Sequence, residues 1–188
     1  MMAINYPTSL DTFTNPTATN LLTSPSHAQQ HSDINDAVEA LEAKVAIGNT
    51  VLGTYTTYTP TWTNLTVGNG TLVAKVARVN NLVHVLGRLT FGSTTTVSGD
   101  IDMSLPINMS TVYSGIYGQP GAFMRYYDAS SGAYSQGDVQ SVGSSTVVRL
   151  RVYNASTTYL SLASLSATVP FTWTTSDVLL WNMVYEAA

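Results

Sequence analysis

The sequence predicts a mainly β protein: an extended N-terminal arm, a short coiled-coil helix, then an antiparallel jelly-roll β-sandwich. Three observations point there. About a quarter of the 188 residues are Thr or Ser, beside 11 Tyr and 13 Gly, a mixture that suits half-buried strands and tight turns. Only 10% of the residues are charged, whereas a helical enzyme carries far more Glu, Lys and Arg. From Gly53 onward, short runs with apolar residues at alternate positions succeed one another, with turn clusters between them and no helical period.

Met1 to Thr23 is rich in Thr, Asn and Pro and has neither a two-residue nor a 3.6-residue period, so it is expected to be extended. Its apolar residues Ile4, Tyr6, Leu10, Phe13, Leu21 and Leu22 suit anchoring to a partner surface. Residues 24–48 read as a helix. Ser24-Pro25 offers an N-cap with Pro at the first helical position, and Ser26 with Gln29 offers a competing capping box. Ile34, Val38, Leu41 and Val45, spaced 4, 3 and 4 apart, form a narrow d, a, d, a seam. Asp33, Asp36 and Glu39 near its start and Lys44 near its end agree with the helix dipole, and Gly48 is a reasonable stop. A helix of about 20 residues is marginal alone, so the seam most simply meets its own copies, the other reading being packing on its own domain.

Residues 49–60 read as a linker and residues 61–188 as the β head. Thr71 to Val79 alternates, Asn80-Asn81 makes a two-residue hairpin turn, and Leu82 to Phe91 returns. Further strands are expected at Ile101 to Leu105, Ala122 to Tyr127, Val139 to Val142, Thr146 to Tyr153, Tyr159 to Leu165 and Val178 to Tyr185. The clusters Asp128 to Gly132 and Asn154 to Ser156 are turns.

Charge and composition exclude several functions. Seven Lys and Arg residues scattered singly in a chain of net charge −4 make no basic run, so nucleic acid is not an expected ligand. The absence of cysteine excludes disulfides, thiolate zinc sites and a cysteine nucleophile. No apolar run is long enough to span a membrane, and no leader pattern opens the sequence, so neither membrane insertion nor classical secretion is expected. No catalytic set is discernible. His27 and His31 lie in the helix, far from His84 in a strand, and the G-x-S-x-G, P-loop and G-x-G-x-x-G motifs are lacking. The chain is therefore read as a non-enzyme with no cofactor.

Two families of motif carry a resemblance. Asn5 to Gly48, NYPTSLDTFTNPTATNLLTSPSHAQQHSDINDAVEALEAKVAIG, resembles a segment that recurs at the start of many tailed-bacteriophage virion proteins. The β part has Tyr58-Thr-Pro-Thr-Trp62, Gly68-Asn-Gly-Thr71, Leu89-Thr-Phe-Gly92 and Pro170-Phe-Thr-Trp173, with Asp177 and the closing Tyr185-Glu186. It is similar to the C-terminal jelly rolls of phage fibre and appendage proteins, and more loosely to C1q/TNF-like heads. It departs from them in carrying Trp181-Asn-Met-Val184 before the closing Tyr-Glu, where small residues are usual. The resemblance implies a homotrimer on the virion surface, assembled in the host cytoplasm: a tail fibre, minor tail or baseplate protein whose arm binds another virion structural protein. The alternative it leaves is a capsid decoration protein or head fibre without specific receptor binding.

The candidate binding residues follow from side-chain chemistry. Tyr113 and Tyr117, in the Gly-rich stretch Tyr113 to Gly121, with Tyr126 and Tyr127, offer ring faces and hydroxyls of the kind a host cell-surface glycan needs; Tyr134 lies nearby in sequence. In a parallel trimer His31 at a and His27 at d would ring the axis, read as hydrated layers that set register before a metal site. Asp100 and Asp102 form a D-x-D, read as solvated turn acids before calcium ligands.

Overall fold

The computed structural model describes residues 27–45, 53–113, 121–155 and 158–188, which fall into two units divided between Thr54 and Tyr55. The six expected anchor residues and Tyr117 lie outside the described residues, as do the side chains of Val45 and Tyr113. In the first unit, helix α1 runs His27–Val45. Ile34, Val38 and Leu41 of the expected seam are 53%, 47% and 51% exposed. Asp33, one of the acids expected near the helix start, is buried and accepts a hydrogen bond from Gln29 Nε2 at 2.7 Å. No described helix is long and apolar enough to cross a membrane.

The second unit contains β1 (Thr56–Thr57), β2 (Trp62–Thr66), β3 (Thr71–Val79), β4 (Leu82–Thr90), β5 (Thr96–Ser104), β6 (Gly121–Asp128), β7 (Ala133–Ser141), β8 (Val147–Asn154), β9 (Ser161–Ser164) and β10 (Val178–Glu186). All neighbours are antiparallel, in the order β1-β3-β4-β10-β6-β7-β8-β5-β2, and β9 pairs with β8 beyond the end of β5. The mainly β, antiparallel character matches expectation. The separation into two stacked sheets of a jelly-roll sandwich does not, because both edges of β10 are occupied, by β4 and by β6, and the ladder never breaks.

That single sheet curls until its edges approach each other. β1 and β2, at its two ends, are consecutive in the chain, and the five steps from Thr57 to Trp62 span at most about 17 Å. Residues 55–60, expected to be linker, thus supply an edge strand and Tyr58, which packs against the core. Glycines on the inner face permit the tight curl. A Cβ at Gly87 would overlap the Trp181 indole on the neighbouring β10, and one at Gly137 would overlap the Arg151 carbonyl on β8.

The inner face is filled by alternate residues of each strand. Val83, Val85 and Leu89 of β4 join Leu179, Trp181, Met183 and Tyr185 of β10, with Met124 and Tyr126 of β6 and Val148, Leu150 and Val152 of β8. Across this core Trp62 of β2 meets Trp181 edge-on at a ring separation of 5.6 Å, although four strands lie between β2 and β10 in the sheet order. Burial pushes the Tyr58 hydroxyl up to about 12, opposed by the neighbouring Trp181 side chain. Burial also raises Tyr185, whose hydroxyl donates to the Ile107 carbonyl at 2.8 Å.

Asp177 ties the outer turns to this frame. Its fully buried carboxylate accepts the backbone N–H of Ala129 at 2.9 Å through Oδ1 and that of Thr174 at 2.5 Å through Oδ2. It fixes the start of β10 to the β6–β7 hairpin, which is closed by Asp128 accepting from Ser130 and Ser131. Those hydroxyls, chiefly that of Ser130, hold the Asp128 carboxyl below its usual value.

Candidate functional site

With the inner face closed, recognition falls to the outer face, where the register of β3, β4, β10, β6 and β7 sets the neighbours. One row reads Val73, Arg88, Leu180, Arg125, Gln136 across the five strands. The next toward the chain termini of the sheet reads Lys75, Leu86, Asn182, Phe123. On the other side lie Thr71, Thr90, Val178, Tyr127 and Tyr134. The first two rows surround an open depression of about 560 Å³ floored by Leu86 and Leu180 and lined by no acidic residue.

Three of the chain's seven Lys and Arg residues, Lys75, Arg88 and Arg125, converge on it. The scattered cations expected to form no patch therefore form a small one, because alternation places each on the outer face and strand order makes them neighbours. Among the described residues none of the three is in an ion pair. Arg125 lies over the ring of Tyr134 at 4.9 Å and over that of Phe123 at 5.9 Å. Tyr134, 60% exposed, in turn packs on Tyr127 with ring centroids 4.8 Å apart.

A polar chain braces the opposite rim. Tyr55 Oη lies 2.5 Å from His84 Nδ1, and His84 Nε2 lies 2.8 Å from Asn182 Oδ1. The carboxamide oxygen only accepts, so Nε2–H donates to it, and in the neutral ring Nδ1 accepts the Tyr55 proton. The Asn182 amide is thereby oriented at the depression's edge, with its NH₂ group available as a donor.

The sequence candidates are dispersed differently. Tyr126 is not a contact residue: it is fully buried, and its hydroxyl donates to the Arg151 carbonyl at 2.8 Å. Strand parity decides this, since on β6 the residues 124 and 126 face inward and 123, 125 and 127 face outward. Tyr127 does belong to the outer face, beside Tyr134. Tyr113 lies in a short 3₁₀ turn, Thr111–Tyr113. His27 and His31 face each other, Nε2 to Nε2 at 3.1 Å, and no cluster of three metal-ligating side chains occurs among the described residues.

Asp100 and Asp102 lie on β5 rather than in a turn, and both are paired with Arg149; Asp100 stays more than a third exposed and Asp102 is largely covered. Arg149 bonds Asp102 through Nε at 2.7 Å and Nη2 at 3.1 Å, and Asp100 through Nη1 at 2.8 Å, tying β5 to β8. Phe123, Arg125, Arg88, Lys75 and Asn182 were not singled out by sequence reading. The available signal was a cation or ring at outward positions of otherwise apolar strands. No protein-family profile, curated protein or solved structure matches the chain.

Proposed function

We propose that the chain is a structural, surface-exposed component of a tailed-phage virion: a trimeric fibre or tail/baseplate protein that presents its β unit to host-surface glycans. In this reading the N-terminal arm docks on another virion protein, and α1 joins three copies through Ile34, Val38, Leu41 and Val45. The observation that carries it is the open seam. Three large apolar residues at heptad spacing stay about half exposed on a helix that is otherwise polar. The similarity of Asn5 to Gly48 to phage virion segments supports the same reading. The glycan function is supported by the outer face of the β unit, where aromatic rings and hydrogen-bond donors stand exposed around an open depression. Three heads on one stalk, repeated over a particle, turn weak single contacts into firm attachment.

Multi-angle light scattering of the full chain at micromolar concentration tests the assembly. A trimer is expected, and Ile34→Asn with Val38→Asn is expected to give monomer while the β unit keeps its melting temperature. A wild-type monomer or dimer overturns the stalk. Competition by the purified protein against particle adsorption tests attachment, and unaffected adsorption removes it.

A further inference from the structure

We infer that the depression between β3, β4, β10 and β6 binds an acidic polysaccharide, a chain of sugars bearing carboxylates. This rests on the glycan-binding reading above and narrows it to one chemical class. The first ground is charge. In a protein of net charge −4, three of seven cations gather around one depression that no acidic residue lines. Where this fold uses a cation structurally it supplies partners, as Arg149 has Asp100 and Asp102. Lys75, Arg88 and Arg125 have no ion-pair partner among the described residues, and like charges on neighbouring strands oppose each other. An anionic ligand relieves that repulsion.

The second ground is geometry. Arg88 and Arg125 stand two strands apart in one row, so their backbones are about 10 Å apart. Lys75 stands in the next row. A ligand with repeated charges reaches all three, and each planar guanidinium matches a carboxylate through two parallel hydrogen bonds. The third ground is the rim. Phe123 and Tyr134 flank Arg125 and offer exposed rings to sugar C–H faces, and the Asn182 amide offers a donor held by His84. Nucleic acid fits less well, because three cations neutralise few phosphates against the protein's own negative charge.

The test titrates the full-length protein with an oligogalacturonate of defined length. The same oligosaccharide with its carboxyls reduced to alcohols, and polyglutamate of similar charge, serve as comparisons. Arg88→Gln and Arg125→Gln keep part of each stem on exposed positions; their circular dichroism and light scattering report fold and assembly. The oligogalacturonate is expected to bind with an affinity that falls with salt. Each Arg variant should lose about tenfold, the worth of one charge-assisted hydrogen-bonded pair. Equal binding of the carboxyl-reduced oligosaccharide would overturn the acidic class while leaving the glycan reading intact. Equal binding of polyglutamate overturns the inference in favour of unspecific charge attraction, and a changed oligomeric mass in the Arg variants overturns it in favour of an interface between copies. Binding of neither oligosaccharide, with particle adsorption untouched by competing protein, removes the inference and the glycan reading together.

Discussion

Replacing Asp177 by Asn exchanges one heavy atom of the β unit and should cost about 3 kcal/mol of its stability. The side chain is fully buried, and its two oxygens serve different backbone donors, Ala129 on one side and Thr174 on the other. An amide keeps one acceptor and turns the other position into a donor. One buried N–H then faces an NH₂ group, and both lose a partner at about 1–3 kcal/mol each, offset in part by the easier burial of a neutral side chain. The whole unit holds on the order of 5–15 kcal/mol, so the variant still folds. Urea unfolding followed by the fluorescence of Trp62, Trp173 and Trp181 measures the difference as a lower midpoint at unchanged slope. Hydrogen exchange should accelerate at the Ala129 and Thr174 amides and not at Val85 in the centre of β4. A loss under 1 kcal/mol with both amides still protected would refute the assignment of Asp177 as the clamp between the β6–β7 hairpin and β10.

Three further outcomes are expected. Tyr126→Phe, which removes the hydroxyl bonded to the Arg151 carbonyl, should cost about 1 kcal/mol in urea unfolding and leave the proposed carbohydrate binding unchanged. Gly87→Ala should cost about 2–3 kcal/mol and shift the tryptophan emission, since a methyl group there displaces the Trp181 indole. In alkaline titration followed by phenolate absorbance, Tyr58, Tyr126 and Tyr185 should ionise last, because burial raises each of them in the folded state. The unfolded chain loses these protons near pH 10 and the folded one later, so stability is complete below pH 10 and falls above it. Tyr58 alone, pushed to about 12, accounts for a loss of about 2 kcal/mol by pH 12.

What could be read from the sequence, and what could not, divides along a physical line. β3 and β4 were legible almost to the residue, because their apolar alternation is regular and Asn80, at φ 51°, makes the two-residue turn between them. β7 begins at Ala133 rather than Val139. Its inward positions there are Ser135 and Gly137, and Gly137 is small because the Arg151 carbonyl and Tyr126 ring leave no room for more. An apolar signal is missing where the fold needs a gap. β5 likewise begins at Thr96 rather than Ile101, in a polar stretch that pairs with β2 around a bulge at Asn64.

The candidate site was illegible for a different reason. The two-residue period shows that Lys75, Arg88 and Arg125 share a face with their strands' polar positions, and it is silent on which strands stand side by side. β4 and β6 come together only because the last strand, β10, inserts between them, pairing with β4 from Val178 to Glu186 and with β6 from Val178 to Val184. That insertion pairs β10 with strands far earlier in the chain, β4 and β6, and is decided by the total core that β10 buries through Leu179, Trp181, Met183 and Tyr185. The outer face is therefore a by-product of the inner one: the side chains that choose β10's place are those that never meet solvent. A substitution in the core that loosens β10, such as Met183→Ala, should then weaken the proposed ligand binding at Arg88 and Arg125 without touching either.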